Sequence, residues 1–249
     1  MISCSNLTRR FGSKAVVDSI SFDLPRGSIC ALLGPNGAGK STTVNLLSGV
    51  LRPTSGTATV AGLEVNDEND TLALKHRIGV LPEGLGLFDY LTVEEHLHLS
   101  GPIYGLSKEE TRVRTDQLLR IMGLVDRRHT YACQCSQGMR KKTALAMALL
   151  HNPQVLILDE PFEGIEPVTA ETIRDLLITL SRLGVTVLFT SHILSMVQRV
   201  ATHCILIRNG VIAWNSRTEE LPSTLEEMYF DAVEATIHEV PSWLGSPPS

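Results

Sequence analysis

The sequence predicts an α/β fold in which a mostly parallel sheet is flanked by helices. Three observations carry this expectation. Short, dominantly apolar runs at residues 29–33, 78–81, 155–158 and 185–189 read as strands buried on both faces. Segments of helical periodicity lie between them, and strands that alternate with helices imply a parallel sheet. Each run is followed closely by glycine or polar residues: Gly34, Glu83, Asp159-Glu160 and His192. Ligands of such sheets bind beyond the carboxyl ends of the strands, so four separated segments converge on one edge.

The first 30 residues read as strands and imply an N-terminal antiparallel β subdomain. Ile20, Phe22 and Leu24 alternate onto one face, and turns fall at Phe11-Gly12-Ser13 and Pro25-Arg26-Gly27. After the run 29–33 and a glycine-rich loop, a helix should carry Val44, Leu46 and Leu47 and finish near Gly49. Pro53-Thr54-Ser55-Gly56 is a turn, and 57–61 a short strand. From about residue 92 to 150 the pattern is mainly helical, which implies an inserted α-helical subdomain at about 90–150. Thr92-Val93-Glu94-Glu95 matches a capping box at its start. Further on, Val113, Leu118, Leu119 and Met122 recur at helical spacing. Residues 169–183 form an amphipathic helix with Ile173, Leu176, Leu177, Leu180 and Leu183 on one face and Gly184 as its stop. Residues 204–214 read as a hairpin turning at Asn209-Gly210. One domain is expected over 1–230. The tail, 231–249, ends in a Pro-, Ser- and Gly-rich stretch expected to be disordered.

Composition narrows the class. The chain of 249 residues has net charge −5 and a pI near 5.9, a balance that argues against direct nucleic-acid binding. No apolar run reaches the roughly 18 residues that span a bilayer, and the first residues lack a signal-peptide pattern. A cytoplasmic location is expected. Five cysteines, Cys4, Cys30, Cys133, Cys135 and Cys204, are too scattered for a disulfide framework and are expected to be reduced and mostly buried. His96 and His98 make no metal pair, because neighbours two apart on a helix diverge.

The loop after the first buried run, Gly34-Pro35-Asn36-Gly37-Ala38-Gly39-Lys40-Ser41, matches G-x-x-x-x-G-K-[ST] in full. Its glycines let successive N–H groups turn inward to cradle phosphate oxygens, and the next helix adds its positive end. Lys40 is expected to reach the β- and γ-phosphates, and Ser41 to place its hydroxyl on Mg²⁺. The core is therefore expected to be of the P-loop NTPase type. Asp159, after four apolar residues, is the carboxylate expected to help hold that ion. Glu160 diverges from Asp159 on the strand and suits the activation of an attacking water.

Phosphate loop and acidic strand end occur in many NTPases. Cys135-Ser136-Gln137-Gly138-Met139 narrows the choice, lying just before a helix and about 20 residues upstream of the acidic strand. The segment resembles the signature motif of the ATP-binding-cassette family, and the order of motifs over roughly residues 2–230 resembles that family's. The resemblance implies ATP and Mg²⁺ as ligands. It implies that Phe11 stacks on adenine and that Lys40, Ser41 and Thr42 bind phosphate and metal. Glu83 would stand near the metal. Ser136 and Gly138 would contact the γ-phosphate held by an opposite subunit. Asp159 would support Mg²⁺, Glu160 would be the general base, and His192 would touch the γ-phosphate. It implies two cassettes closing head to tail, as a homodimer or heterodimer. The dimer would drive a separate transmembrane permease, of export type, that holds the protein at the cytoplasmic face of the cell membrane.

Four positions depart from the family's common pattern: Glu83, Gln137, Met139 and Glu166. They keep open a weakly hydrolysing regulatory cassette. A soluble cassette acting on DNA or the ribosome would usually add coiled coils, a second cassette or basic surfaces. The run Arg140-Lys141-Lys142 reads as a solvated helix face. Residues 84–91 are unusually apolar for a loop and, given the resemblance, are expected to receive a cytoplasmic helix of the permease, with Phe88 and Tyr90 as anchors.

Overall fold

A computed structural model describes residues 1–233. The expected disorder of the tail therefore lies almost wholly outside the described residues.

The chain begins with two long strands, β1 (Ile2–Phe11) and β2 (Lys14–Leu24), joined by the turn at Gly12. Next come β3 (Ile29–Leu33), α1 (Lys40–Leu47), β4 (Ser55–Val60), β5 (Leu63–Glu64), α2 (Thr71–Arg77) and β6 (Ile78–Leu81). A helical segment follows: α3 (Val93–Ile103), α4 (Lys108–Met122) and α5 (Gln137–Leu149). The chain then alternates through β7 (Val155–Leu158), α6 (Pro167–Arg182), β8 (Thr186–Ser191) and α7 (Leu194–Val200). It closes with β9 (His203–Arg208), β10 (Val211–Arg217) and α8 (Leu225–Val233).

Two sheets result. One is antiparallel, in the order β2-β1-β4-β5, as the early alternating pattern implies. The other runs β10-β9-β3-β8-β7-β6 and is parallel except at the β9–β10 hairpin. Its inner strands β3, β7 and β8 are buried at every position, because α-helices cover one face and the antiparallel sheet with α1 covers the other. Asn209 and Gly210, both at positive φ, turn the hairpin as their sequence predicts.

The inserted helices start where their capping residues stand. Thr92 and Ser107 each accept from a backbone N–H three residues on, and Glu95 and Glu110 return the bond. Two side-chain expectations are corrected. On α4, Val113 is exposed and the inner stripe is Thr111, Thr115, Leu119 and Met122, so buried threonines hid the true face from an apolar count. On α6, Leu183 is exposed, lying one residue past the helix, where the chain turns toward Gly184. The short elements α2, β5, α7 and α8 have no periodicity long enough to be read from sequence. Cys4, Cys30 and Cys204 are buried, Cys135 is half-buried and Cys133 is exposed; all five are free thiols.

Candidate active site

The edge formed by the carboxyl ends of β6, β7, β8 and β3 carries a cleft of about 340 Å³. Its walls are Val16, Asn36, Gly37, Gly39, Lys40, Ser41, Thr42, Glu83, Glu160, Glu163 and His192. Sheet order brings these distant segments together. Leu81 pairs with Leu158, Leu158 with Phe189 and Leu33 with Ser191, so the residues just beyond each strand arrive side by side.

The glycine-rich loop leaves β3 in a conformation that side chains would obstruct. Gly34 has φ 152°, and a Cβ there would stand 2.3 Å from the carbonyl oxygen of Ile207. Gly39 has φ 110°, and its Cβ would meet the Val16 carbonyl at 2.6 Å. Gly39 is also the N-cap of α1, and no side chain caps the helix start. The first N–H groups are thereby left to a ligand, as an anion-binding helix terminus requires. Lys40 is buried at the first helical position, its Nζ donating to the Gly34 carbonyl at 2.9 Å.

Across the cleft Glu160 is held at every polar group. Its Oε1 lies 3.7 Å from Lys40 Nζ, and its Oε2 lies 3.2 Å from His192 Nδ1. Its backbone N–H donates to Thr190 Oγ1 at 2.8 Å. The same hydroxyl donates to Asp159 Oδ1 at 2.5 Å, so one threonine on β8 orients both neighbouring acids. Glu160 has φ 46°, left-handed for a residue with a side chain, which costs roughly 1–2 kcal/mol. These bonds offset that cost and aim the carboxylate into the cleft. Asp159 is 4% exposed and does not line the cleft.

The remaining expected residues are not gathered equally. Glu83 is exposed and lines the cleft from the end of β6. Gly34, Pro35 and Ala38 shape the loop without lining the cleft. Phe11 is half-exposed at the end of β1 and lies outside it, with the Arg9 guanidinium 4.6 Å from its ring centroid. Ser136 and Gly138 are also outside. Ser136 caps α5 by accepting from the Met139 N–H at 3.3 Å, and Gly138 packs toward Thr169 at the start of α6.

The expected solvated face at Arg140-Lys141-Lys142 is a correction. Lys141 is 5% exposed and its Nζ donates to the carbonyl oxygens of Glu160 and Glu163. Burial pushes its ammonium below the usual lysine range, against the opposing pull of Glu163, Glu160 and Asp159. Arg140 donates to Asp89 Oδ1 and the Ala132 carbonyl. A basic triplet on a helix resembles a wet surface until tertiary packing turns one member inward. Sequence reasoning also missed Thr190, whose only linear signal is its place two residues before His192, and Glu163 on the cleft wall.

The cleft thus joins an uncapped helix start, one buried lysine and a carboxylate held by Lys40 and His192. The sequence model of the family described as ABC transporter matches residues 17–163. The chain belongs to the ABC transporter family. The cassette is 36% identical over 220 residues to the linearmycin resistance ATP-binding protein LnrL of Bacillus subtilis, covering 88% of this chain and 70% of that one. It superposes on a solved ATP-binding subunit of an ABC transporter with a TM-score of 0.86 at 28% identity, over 94% of this chain and 99% of the other. A dimeric structure of a bacterial ABC transporter cassette matches with a TM-score of 0.81 at 25% identity, over 89% and 100%. The protein is thus an ATP-binding subunit of an ABC transporter and an ATPase.

Proposed function

We propose that this ATPase drives a separate transmembrane permease, in the direction of export, by closing head to tail with a second cassette around two ATP molecules. The observation that carries the reading is the separation of two helix starts. The α1 start lies in the cleft with Lys40 and Glu160, whereas the α5 start, with Ser136 exposed, lies outside it. A second cassette would bring the α5 start to the phosphate. The similar dimeric cassette supports dimerisation, and the linearmycin resistance named for LnrL fits a transporter that removes a compound from the cell.

Roles follow from placement. Loop N–H groups and Lys40 hold the phosphates, with Ser41 and Thr42 at the first turn of α1. Phe11, half-exposed at the end of β1, would stack on adenine. Glu160 accepts the proton of the attacking water, and His192 holds the carboxylate and the terminal phosphate in register. Hard oxygens at Ser41, Asp159 and Glu83 fit Mg²⁺, and Thr190 fixes the direction of the Asp159 carboxylate. Among the described residues Glu83, Glu160 and Glu163 line the cleft against one lysine, Lys40, so a cation would favour a polyphosphate there. Bound Mg²⁺ supplies that neutralisation.

The permease contact lies at residues 84–91. Phe88 is 60% and Tyr90 86% exposed. His96, fully buried, accepts from the Phe88 N–H at Nε2 and bonds the Thr92 carbonyl through Nδ1, so the loop is held while its aromatic rings face outward. Among the described residues no helix is long and apolar enough to cross a membrane. In this reading the permease holds the cassette at the cytoplasmic face.

Glu160→Gln tests the cycle. Turnover should fall about 10²–10⁴-fold while ATP binding persists, and an ATP-dependent dimer should appear by size exclusion. Near-normal hydrolysis would remove Glu160 as the base. A pull-down from native membranes should recover a multi-span protein; recovery of only ribosomes or nucleic acid would end the transport reading.

A further inference from the structure

Lys141 is a second buried ammonium beside Glu160; Lys40 stands at the carboxylate, whereas Lys141 meets the main chain. Its Nζ lies 2.5 Å from each of two carbonyl oxygens, those of Glu160 and Glu163. These carbonyls belong to one turn, closed by the Glu163 N–H on the Glu160 carbonyl at 3.3 Å. The lysine therefore grips the turn at both ends. Thr190 Oγ1 holds the Glu160 N–H from β8, so the left-handed residue is fixed on each side of its Cα by a different element. Only the carboxylate is left to the cleft.

Lys141 stands on α5, five residues after Ser136. At 1.5 Å rise per residue that is about 7.5 Å along a rigid helix. A displacement of the α5 start would reach the turn that aims Glu160 through Lys141. We propose that Lys141 is a positioning residue for hydrolysis, clamping residues 160–163 so that the signature helix and the Glu160 carboxylate move as one unit. The proposal rests on the reading of Glu160 as the proton acceptor. It adds that occupation of the α5 start by a partner's nucleotide is felt at this subunit's own Glu160.

The test is ATP turnover and ATP affinity of Lys141→Met, which keeps the stem and removes the donor, beside Lys141→Arg, which restores a donor and charge. For the methionine variant kcat should fall about 10–100-fold, the scale of a misplacement near 1 Å, while the ATP Kd changes less than about twofold. Lys141→Arg should recover most of the loss. Lys141→Gln, a shorter donor, should give an intermediate kcat and is the variant to measure if the methionine variant does not fold. Wild-type kcat in Lys141→Met or Lys141→Gln overturns the proposal. So does a parallel fall of kcat, ATP affinity and melting temperature that arginine does not rescue, since that is loss of packing alone. Glu160→Gln measured alongside separates the two ideas. If that variant keeps turnover, the base assignment fails. If it stops turnover and Lys141→Met does not, only the clamp fails.

Discussion

The starts of α1 and α5 are built from similar parts and arranged to opposite ends. Both follow a loop, and both helices bear a buried lysine that reaches Glu160 or its turn. The α1 start has a left-handed glycine as its N-cap and no side-chain cap, so its N–H groups remain available within a cleft. At α5 the N-cap is Ser136, in extended conformation, which already takes the Met139 N–H and stands exposed. The two lysines divide accordingly. Lys40 acts on the Glu160 carboxylate and would share itself with phosphate, whereas Lys141 acts on backbone carbonyls and leaves the carboxylate alone. One helix start opens uncapped into a cleft of its own chain. The other helix touches the Glu160 turn through Lys141, and its exposed start lies outside that cleft.

Breaking the α1 side should have the largest effect. Lys40→Ala removes a charge-assisted contact of roughly 1.5–3 kcal/mol, so ATP affinity should fall about 10–100-fold in a titration with a fluorescent analogue. Unchanged binding would deny the loop its assignment. Thr190→Val sharpens the shared centre. It leaves the Glu160 N–H and Asp159 Oδ1 without their common partner, a cost of about 1–3 kcal/mol that should lower the melting temperature by several degrees and reduce kcat. A variant as stable and active as the parent would show that those bonds do not orient the acids. Phe88→Ala with Tyr90→Ala should leave ATP hydrolysis by the isolated cassette within about twofold, since neither ring lines the cleft, while weakening co-purification of a permease. Retained co-purification would move the docking surface away from this loop. Ser136→Ala is the mildest. It removes a cap worth about 0.5–2 kcal/mol, measurable by denaturant titration, and should leave nucleotide binding to the monomer unchanged. Weakened monomer binding would mean that the α5 start serves its own chain, collapsing the contrast.

Legibility in the sequence followed the range of the interactions. The glycine-rich loop, the capping boxes at Thr92 and Ser107 and the turn at Asn209-Gly210 are local devices, each complete within about ten residues. The capping box at Thr92 and the Asn209-Gly210 turn are legible from residue type and near spacing. The departures lie where partners are far apart in the chain. The buried stripe of α4 runs through Thr111 and Thr115, which carry no apolar signal, and Arg140-Lys141-Lys142 passes for a wet helix face. For Phe11 the family resemblance implies a base-stacking role, yet its half-exposed place outside the cleft with Arg9 over its ring is set by the tertiary structure.

By itself the sequence determined the alternation that yields a parallel sheet, the loop able to cradle phosphate, and the order in which acidic and histidine segments follow their strands. These depend on residue type and near spacing. Only the tertiary structure decided which side chains complete the site. Thr190 meets Asp159 across 31 positions and Lys141 meets the Glu160 carbonyl across 19. Such contacts are set by strand register and helix packing, which no local pattern records, and burial then makes them strong because water no longer competes for the same donors.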